Sequence, residues 1–142
     1  MAINVYFNFD GNTREAVEFY ADVFGVPVGQ IMTFGQAPQD PNYPLPEEAK
    51  DLIMHARIEV AGTRLMFSDT FPGMPFVKGN NVTLALVLKD KEAVESAFHK
   101  LKVGGNITME LQETFWSPMY GALEDKFGIQ WQFNVETEDN PA

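Results

Sequence analysis

The chain contains no cysteine, few basic side chains and no long apolar run. Without cysteine, disulfides, thiolate metal ligands and thiol nucleophiles are excluded together, so any catalysis must use other groups. Only 10 lysines and arginines stand against 20 acidic residues, which makes the formal net charge −10. This charge repels phosphate backbones and no basic stripe is visible, so we expect no nucleic-acid partner. It is typical of a soluble surface and gives weak support to a preference for cationic ligands.

No apolar run approaches the roughly 18 residues that a membrane span requires. The opening letters MAINVYFNFDG also lack the basic region and cleavage site of a signal peptide. We therefore expect no membrane partner and a cytoplasmic location. The 142 residues are 45% hydrophobic and 13% aromatic, which is enough for one domain with a substantial core.

The letters Glu-Ala-Val-Glu occur twice, at residues 15–18 and again at 92–95. Before the first copy, the β-branched and aromatic residues 3–9 predict a strand that ends in a turn. Asn12 is then placed to cap a helix, with Glu15 as its capping-box partner, and apolar residues recur at helical spacing. The glycine at position 25 is typical of a helix end.

The second copy lies in the same surroundings. Residues 81–88 form a nearly continuous apolar strand, Asp90 can cap the helix that follows, and Gly104 can end it. After each helix come segments that predict three further strands. For the first helix these are 27–35, 52–60 and 63–69, and for the second they are 106–113, 118–125 and 128–135. Each half is therefore predicted to be a βαβββ module, and such units come in pairs because one alone cannot bury its sheet face.

Two segments interrupt this scheme. Residues 36–51 are rich in proline, and a connection of this length is either a functional flap or a disordered excursion. Residues 70–80 are the natural linker, and the apolar Phe71, Met74 and Phe76 suggest that it lies on the domain surface. We thus predict a single domain with module one at about 3–69, the linker at 70–80, module two at about 81–135 and a short acidic tail.

The segments GNTREAVEFYADVFG, MHARIEVAGTRLMFSD and LQETFWSPMYGALEDKFGIQWQFN, in this order within two βαβββ units, resemble the vicinal-oxygen-chelate superfamily of glyoxalases, bleomycin resistance proteins and dioxygenases. Within it the chain is most similar to the PhnB-like branch, and the resemblance covers roughly residues 3–135. It implies an α+β fold in which eight strands form a half-open mixed barrel around a cleft, with the helices outside. It also implies a homodimer.

Strand parity predicts which side chains line the cleft. A turn at residues 61–62 pairs Val60 with Thr63, Ile58 with Leu65 and Arg57 with Met66, and sets Glu59 opposite Arg64. The apolar face of this hairpin should meet the helix, so His55, Arg57, Met66 and Ser68 fall on the cleft side. In the last strand the polar set that includes Gln132 falls there too.

Each histidine has a structural and a functional interpretation. His99 lies off the apolar stripe of its helix, which predicts a solvated surface residue. His55 is the better candidate, either as a hydrogen-bonded structural residue or as a group that contacts a ligand or exchanges protons. Ser68 would neighbour His55, but no third partner completes a catalytic triad.

The stretch ELQETFWSPMYG at residues 110–121 carries the densest set of amphipathic side chains. Glu110 and Gln112 share a strand face, and the rings of Trp116 and Tyr120 either close the end of the barrel or form a ligand wall. Glu113 falls on the opposite face from Glu110, so the two do not form a carboxylate pair.

The resemblance implies a divalent metal held by His and Glu side chains on facing strands. Aligned by strand and turn, those positions fall on Val5 (or Asn4 if the register slips by one), Met66, Thr83 and Gln132. None is a histidine or a carboxylate, and first-row metals need such partners. We therefore expect neither a metal nor another cofactor.

The leading hypothesis is a metal-independent protein that binds a small molecule, comparable to the drug-sequestering members of the superfamily. The predicted ligand-binding residues are His55, Arg57, Met66, Ser68, Glu110, Gln112, Trp116, Tyr120 and Gln132. The alternative is a metal-dependent enzyme of the glyoxalase or dioxygenase type with atypical ligands. The methyltransferase label that some PhnB-like proteins carry draws no support, because no glycine loop is present to receive a methyl donor.

Overall fold

The computed structural model describes residues 2–139. The last three residues of the predicted acidic tail therefore lie outside the described residues. The strands and α-helices of the described chain are β1 (Val5–Phe9), α1 (Thr13–Phe24), β2 (Met32–Thr33), β3 (Ile53–Val60), β4 (Thr63–Asp69), β5 (Thr83–Leu88), α2 (Lys91–Leu101), β6 (Asn106–Gln112), β7 (Tyr120–Glu124) and β8 (Gln130–Val135). In this part of the chain neither α-helix is long and apolar enough to cross a membrane.

Hydrogen bonding joins the strands into two sheets of the same design. The first has the order β1-β4-β3-β2 and the second the order β5-β8-β7-β6. In each sheet one parallel pair, β1 with β4 or β5 with β8, sits beside antiparallel neighbours. The predicted α+β fold of two βαβββ modules is confirmed, and the second Glu-Ala-Val-Glu marks the matching helix of the repeat.

The chain forms two compact units that divide between Val77 and Lys78. This division falls inside the segment 70–80 that the sequence marks as the linker. Within the first unit, the linker residue Phe71 packs edge-to-face on Phe34, with the ring centroids 5.3 Å apart. The interpretation of the whole chain as one domain stays a prediction.

The core of the first unit is a set of stacked aromatic rings between α1 and its sheet. Phe67 is fully buried, and its ring centroid lies 5.1 Å from Phe7, 6.4 Å from Phe9 and 5.9 Å from Tyr20. Alternation explains the arrangement, because Phe7 and Phe9 on β1 point to the same face as Phe67 on β4. The opposite face of this sheet is left for polar side chains.

The β3–β4 hairpin has the register predicted from its turn. Val60 pairs with Thr63, Ile58 with Leu65 and Arg57 with Met66. Ala61 and Gly62 both have positive φ, 50° and 82°, which matches a two-residue turn of the type that suits the twist of a hairpin. The predicted cross-strand ion pair of Glu59 and Arg64 is also present, at 3.8 Å.

The two helices begin in different ways. Asp90 caps α2 as predicted, since its carboxylate accepts from the backbone N–H groups of Glu92 and Ala93 at 3.0 and 3.2 Å. The predicted cap of α1 by Asn12 is wrong, because within the described residues its side chain makes no capping hydrogen bond. The buried carboxylate of Asp69, at the end of β4, accepts instead from the N–H of Thr13 at 3.1 Å.

The second strand of the first module is much shorter than predicted. Of residues 27–35 only Met32–Thr33 pair as a strand, and a short 3₁₀ helix follows at Phe34–Gln36. Within residues 36–51, a second 3₁₀ helix occupies Glu47–Ala49, and the N–H of Gly35 donates to the carbonyl of Lys50 at 3.0 Å. The irregular pairing of β2 shapes the candidate site described below.

The core of the second unit lies between α2 and the buried residues of β7 and β8. Phe98 and Phe133 are fully buried and meet edge-to-face at 5.2 Å. Gly121 leaves room for them, since a β-carbon there would lie 3.2 Å from the Phe98 ring. The β7–β8 turn is built on the buried carboxylate of Asp125, which accepts from the indole N–H of Trp131 at 2.9 Å.

Candidate functional site

The predicted site residues of the first unit lie on the face of the sheet opposite the aromatic core. Arg57 on β3 is paired with Met66 on β4, and Ser68 continues the same face of β4. Burial follows this alternation: the intervening Leu65 and Phe67 are buried, whereas Met66 and Ser68 are partly exposed and Arg57 is exposed. We call this surface the first polar face.

Strand β1 adds two residues to this face that local sequence patterns do not indicate. Tyr6 pairs with Met66, and its ring centroid lies 6.2 Å from that of His55. Asn8 pairs with Ser68, whose hydroxyl donates to the Asn8 side-chain oxygen at 3.4 Å. The parallel register of β1 with β4, which no local motif encodes, is what adds Tyr6 and Asn8.

A β-bulge interrupts the pairing of β2 with β3 beside His55. Met32 pairs with His55 and the next residue, Thr33, pairs with Ile53, so Met54 is the extra residue. A bulge of this kind bends the strand and redirects side chains, and such bulges are enriched next to functional sites. The burial pattern shows the same shift, because the buried residues Ile53 and Ala56 are three positions apart rather than two.

A cleft lies at this bulge in the first unit. Its volume is about 460 Å³, and it is lined by Gln30, Met32, Met54, His55 and Arg57. The volume lies within the range of about 300–1,000 Å³ that small-molecule sites occupy. Of the predicted site residues, the cleft brings together His55 and Arg57. Three lining residues were not predicted from the sequence: Gln30, Met32 and Met54. In the case of Met54 the reason is that regular strand alternation places it on the face opposite His55.

In the second unit, Trp116, Tyr120 and Gln132 come together. The hydroxyl of Tyr120 donates to the side-chain oxygen of Gln132 at 2.9 Å, and the rings of Trp116 and Tyr120 meet edge-to-face at 5.2 Å. Buried Ser117 holds this loop to the sheet, since its hydroxyl donates to the carbonyl of Val135 at 2.9 Å. Trp116 remains 37% exposed, so its ring is open to a ligand.

Gln112 on β6 extends this cluster. Gln112 pairs with Tyr120, and its amide donates to the backbone carbonyl of Glu110 at 3.2 Å. Two register shifts interrupt β6, on either side of Met109. Both Glu110 and Gln112 are exposed. The pairing of Gln112 with Tyr120 places Gln112 on the polar face of the second sheet, which also carries Gln132. The predicted shared face of Glu110 and Gln112 is wrong, because the register shift pairs Met109 with Ala122 and so puts Met109 on this face instead.

The two histidines have different surroundings. His99 lies on α2 with about half of its side chain exposed, and its Nε2 is 3.9 Å from a carboxylate oxygen of Glu95, one turn away. It is the surface residue that the sequence predicts. His55 is partly buried at the cleft, beside the Tyr6 ring.

The metal positions implied by the superfamily do not fit a divalent transition metal here. In the first unit Val5 pairs with Leu65 and so lies on the face opposite Met66. The prediction of Val5 as the first metal position is therefore wrong, because its side chain lies on the other face of the sheet. Of the two predicted positions, Asn4 has the parity of Met66, and it precedes β1.

In the second unit, Thr83 pairs with Gln130, and the side-chain oxygen of Gln132 already accepts from Tyr120. Within residues 2–139 no group of three or more His, Asp or Glu side chains is arranged to hold a metal ion. An amide and a hydroxyl are poor ligands for first-row metals when imidazole and carboxylate are lacking. The donor set at these positions is therefore unsuited to the metal.

Comparison with known proteins agrees with this fold. The family model of the Glyoxalase/Bleomycin resistance protein/Dioxygenase superfamily matches residues 2–133. Protein YjdN from Escherichia coli (strain K12) is 33% identical over 143 residues, covering 95% of each chain.

Two solved structures extend the comparison. Protein PA1353 from Pseudomonas aeruginosa is 34% identical with a TM-score of 0.83, over 94% of this chain and 96% of its own. A PhnB protein from Bacillus cereus, named a putative 3-demethylubiquinone-9 3-methyltransferase, is 27% identical with a TM-score of 0.73, over 94% and 98% of the two chains.

Proposed function

Because this chain belongs to the Glyoxalase/Bleomycin resistance protein/Dioxygenase superfamily, and within it to the PhnB-like branch, we propose that it binds a small molecule without a conventional metal ion. The observation that carries the proposal is the cleft of about 460 Å³ at the bulge of β3, which is lined by His55 and Arg57. Concave sites with an apolar lining and a few polar groups are the usual places for small ligands. The methyltransferase activity in the name of the Bacillus cereus protein draws no support from this chain, which has no glycine-rich loop for a methyl donor.

Each unit carries its own set of proposed ligand contacts. In the first unit the polar groups of the cleft and of the first polar face would orient a ligand, and in the second unit aromatic rings would pack on one. The proposed ligand-binding residues are His55, Arg57, Met66, Ser68, Glu110, Gln112, Trp116, Tyr120 and Gln132. A homodimer, as the sequence resemblance implies, and a cytoplasmic location are part of the same proposal.

The two histidines make a matched pair for testing the binding site. A thermal-shift screen with cationic, neutral and anionic aromatic compounds should yield one that raises the melting temperature, because a ligand of the native state stabilises it. His55→Ala should weaken the binding of that compound by about tenfold, the effect of losing one polar contact. His99→Ala should leave it unchanged, since His99 is exposed on α2. Equal affinity in both variants, or no stabilising compound, would contradict a site at His55.

The donor set leads to a prediction about metal. We expect the purified protein to carry no stoichiometric Zn, Ni, Fe or Mn, and a chelator to leave its melting temperature unchanged, because amide and hydroxyl groups hold such ions weakly. Elemental analysis and a thermal scan with and without chelator check this. Close to one transition metal per chain would favour the alternative, an enzyme of the glyoxalase or dioxygenase type, and His55→Ala would then be the first variant to assay for metal content.

The oligomeric state can be measured independently of any ligand. We expect light scattering at micromolar concentration to return twice the mass of one chain. The physical reason is that exposed apolar side chains such as Phe115, which is 96% exposed, favour burial against a second copy. A mass of one chain under these conditions would contradict the homodimer.

A further inference from the structure

We propose that the cleft at the bulge of β3 selects a small monocarboxylate with an apolar body, such as an aromatic carboxylate. This rests on the proposed function and narrows it, since it names the charge and the shape of the ligand. The same cleft could in principle receive a neutral or a cationic molecule, and the acidic composition of the chain favours cations in general. The charged side chains that line the cleft favour an anionic ligand instead.

Arg57 is the fixed charge of the cleft. Of the lining residues only Arg57 and His55 can be positive, and none is an acid. Among the residues that the structure describes, no carboxylate lies within ion-pair distance of the Arg57 guanidinium. The nearest acid along the same face of β3 is Glu59, which is paired with Arg64 at 3.8 Å. An arginine with two donors free and no acid beside it is suited to a planar carboxylate, which it binds through two parallel hydrogen bonds.

The backbone beside Arg57 is held close to the cleft. The N–H of Gly29 donates to the Arg57 carbonyl at 3.3 Å, and a β-carbon at position 29 would lie 3.2 Å from that oxygen and 3.8 Å from the Arg57 Cγ. A side chain at this position would therefore crowd the Arg57 carbonyl oxygen, whereas it would meet the Arg57 stem only at ordinary van der Waals distance. Glycine here lets the chain before β2 pass close to the backbone of β3 at Arg57.

The remaining lining residues accept an apolar body. Met32 and Met54 bring thioether side chains to the cleft, and methionine adapts to irregular shapes and makes favourable contacts with aromatic rings. Gln30 adds an amide that can donate to a second carboxylate oxygen. A monoanion matches this site better than a dianion, because Arg57 is the only lining side chain that is charged at every ordinary pH.

Because the net charge of the chain is −10, a preference for an anionic ligand cannot come from the charge of the whole protein. Long-range repulsion between this chain and an anion would oppose binding, so the attraction has to come from groups in contact with the ligand. Removing Arg57 should then abolish the preference for the anion, whereas removing an exposed cation elsewhere in the first unit should not.

The test compares three ligands of matched shape: 2-naphthoate, its neutral amide, and the corresponding methylammonium compound. Titration calorimetry on the full chain should give the carboxylate an affinity at least about tenfold above that of the amide, with the ammonium compound weakest. Arg57→Gln should weaken the carboxylate by about 10- to 100-fold and leave the amide unchanged. Arg14→Gln removes the same charge from an exposed position on α1, outside the cleft lining, and it leaves the ion pair of Glu59 with Arg64 intact. This variant should keep the preference.

Folding of each variant is checked by its melting temperature, and Arg57→Lys serves as a second variant that keeps the charge but not the paired donors. It should show an intermediate preference. Equal binding of carboxylate and amide, stronger binding of the ammonium compound, loss of the preference in Arg14→Gln, or no binding of any of the three would overturn the inference. The proposed function fails separately, when the wider panel yields no ligand sensitive to His55→Ala.

Discussion

Replacing Phe67 with alanine is expected to lower the free energy of unfolding by about 3–5 kcal/mol, the usual cost of removing a large buried aromatic side chain. Phe67 is fully buried, and its ring packs against those of Phe7 and Tyr20. The truncation leaves a cavity that these aromatic neighbours fill only in part. Urea unfolding followed by far-UV circular dichroism measures the change.

Tyr43→Ala is the matched control. Its side chain is 80% exposed, so the loss should stay within about 0.5 kcal/mol. A loss below about 1 kcal/mol for Phe67→Ala would contradict the aromatic core.

The same variant tests whether the chain is one domain. Both tryptophans, Trp116 and Trp131, lie in the second unit, so their fluorescence should report the shifted transition only if the two units unfold together.

Asp69→Ala should lower the free energy of unfolding by about 2–5 kcal/mol, because it leaves two buried backbone donors without their charged acceptor. The Asp69 carboxylate accepts from the N–H of Thr13 at 3.1 Å and from the N–H of Ile53 at 2.8 Å. It thereby ties the start of α1 to the first residue of β3. Urea unfolding again gives the measurement.

The variant Asn12→Ala is the control, because it distinguishes capping of α1 by Asp69 from the capping by Asn12 that the sequence predicts. If Asn12 capped α1, Asn12→Ala would cost about 1 kcal/mol. Because Asp69 supplies the hydrogen bond, we expect Asn12→Ala to change the stability by less than about 0.5 kcal/mol. A larger loss for Asn12→Ala than for Asp69→Ala would reverse the assignment of the cap.

Local patterns in the sequence were sufficient to predict the repeat, the two helices and the β3–β4 hairpin. Alternation and an Ala-Gly turn are short-range signals, and together they specify the register that pairs Arg57 with Met66. They also explain why strand parity alone selects His55 and Arg57 as candidate site residues. The exposed position of His99 follows in the same way from the helical periodicity of α2.

The features that only the tertiary structure decided depend on contacts between residues that are distant in sequence. The cap of α1 comes from Asp69, which lies 56 residues after Thr13, so no pattern around the helix indicates it. The parity of β1 depends on its pairing with β4, which turns Val5 away from Met66 and brings Tyr6 beside it. The bulge that sets Met54 beside His55 arises from a two-residue strand at the sheet edge, and a bulge leaves no trace in regular alternation. The sequence by itself therefore determined the modules and the candidate faces, whereas the cleft depends on how distant strands pair, because pairing between strands is a long-range interaction.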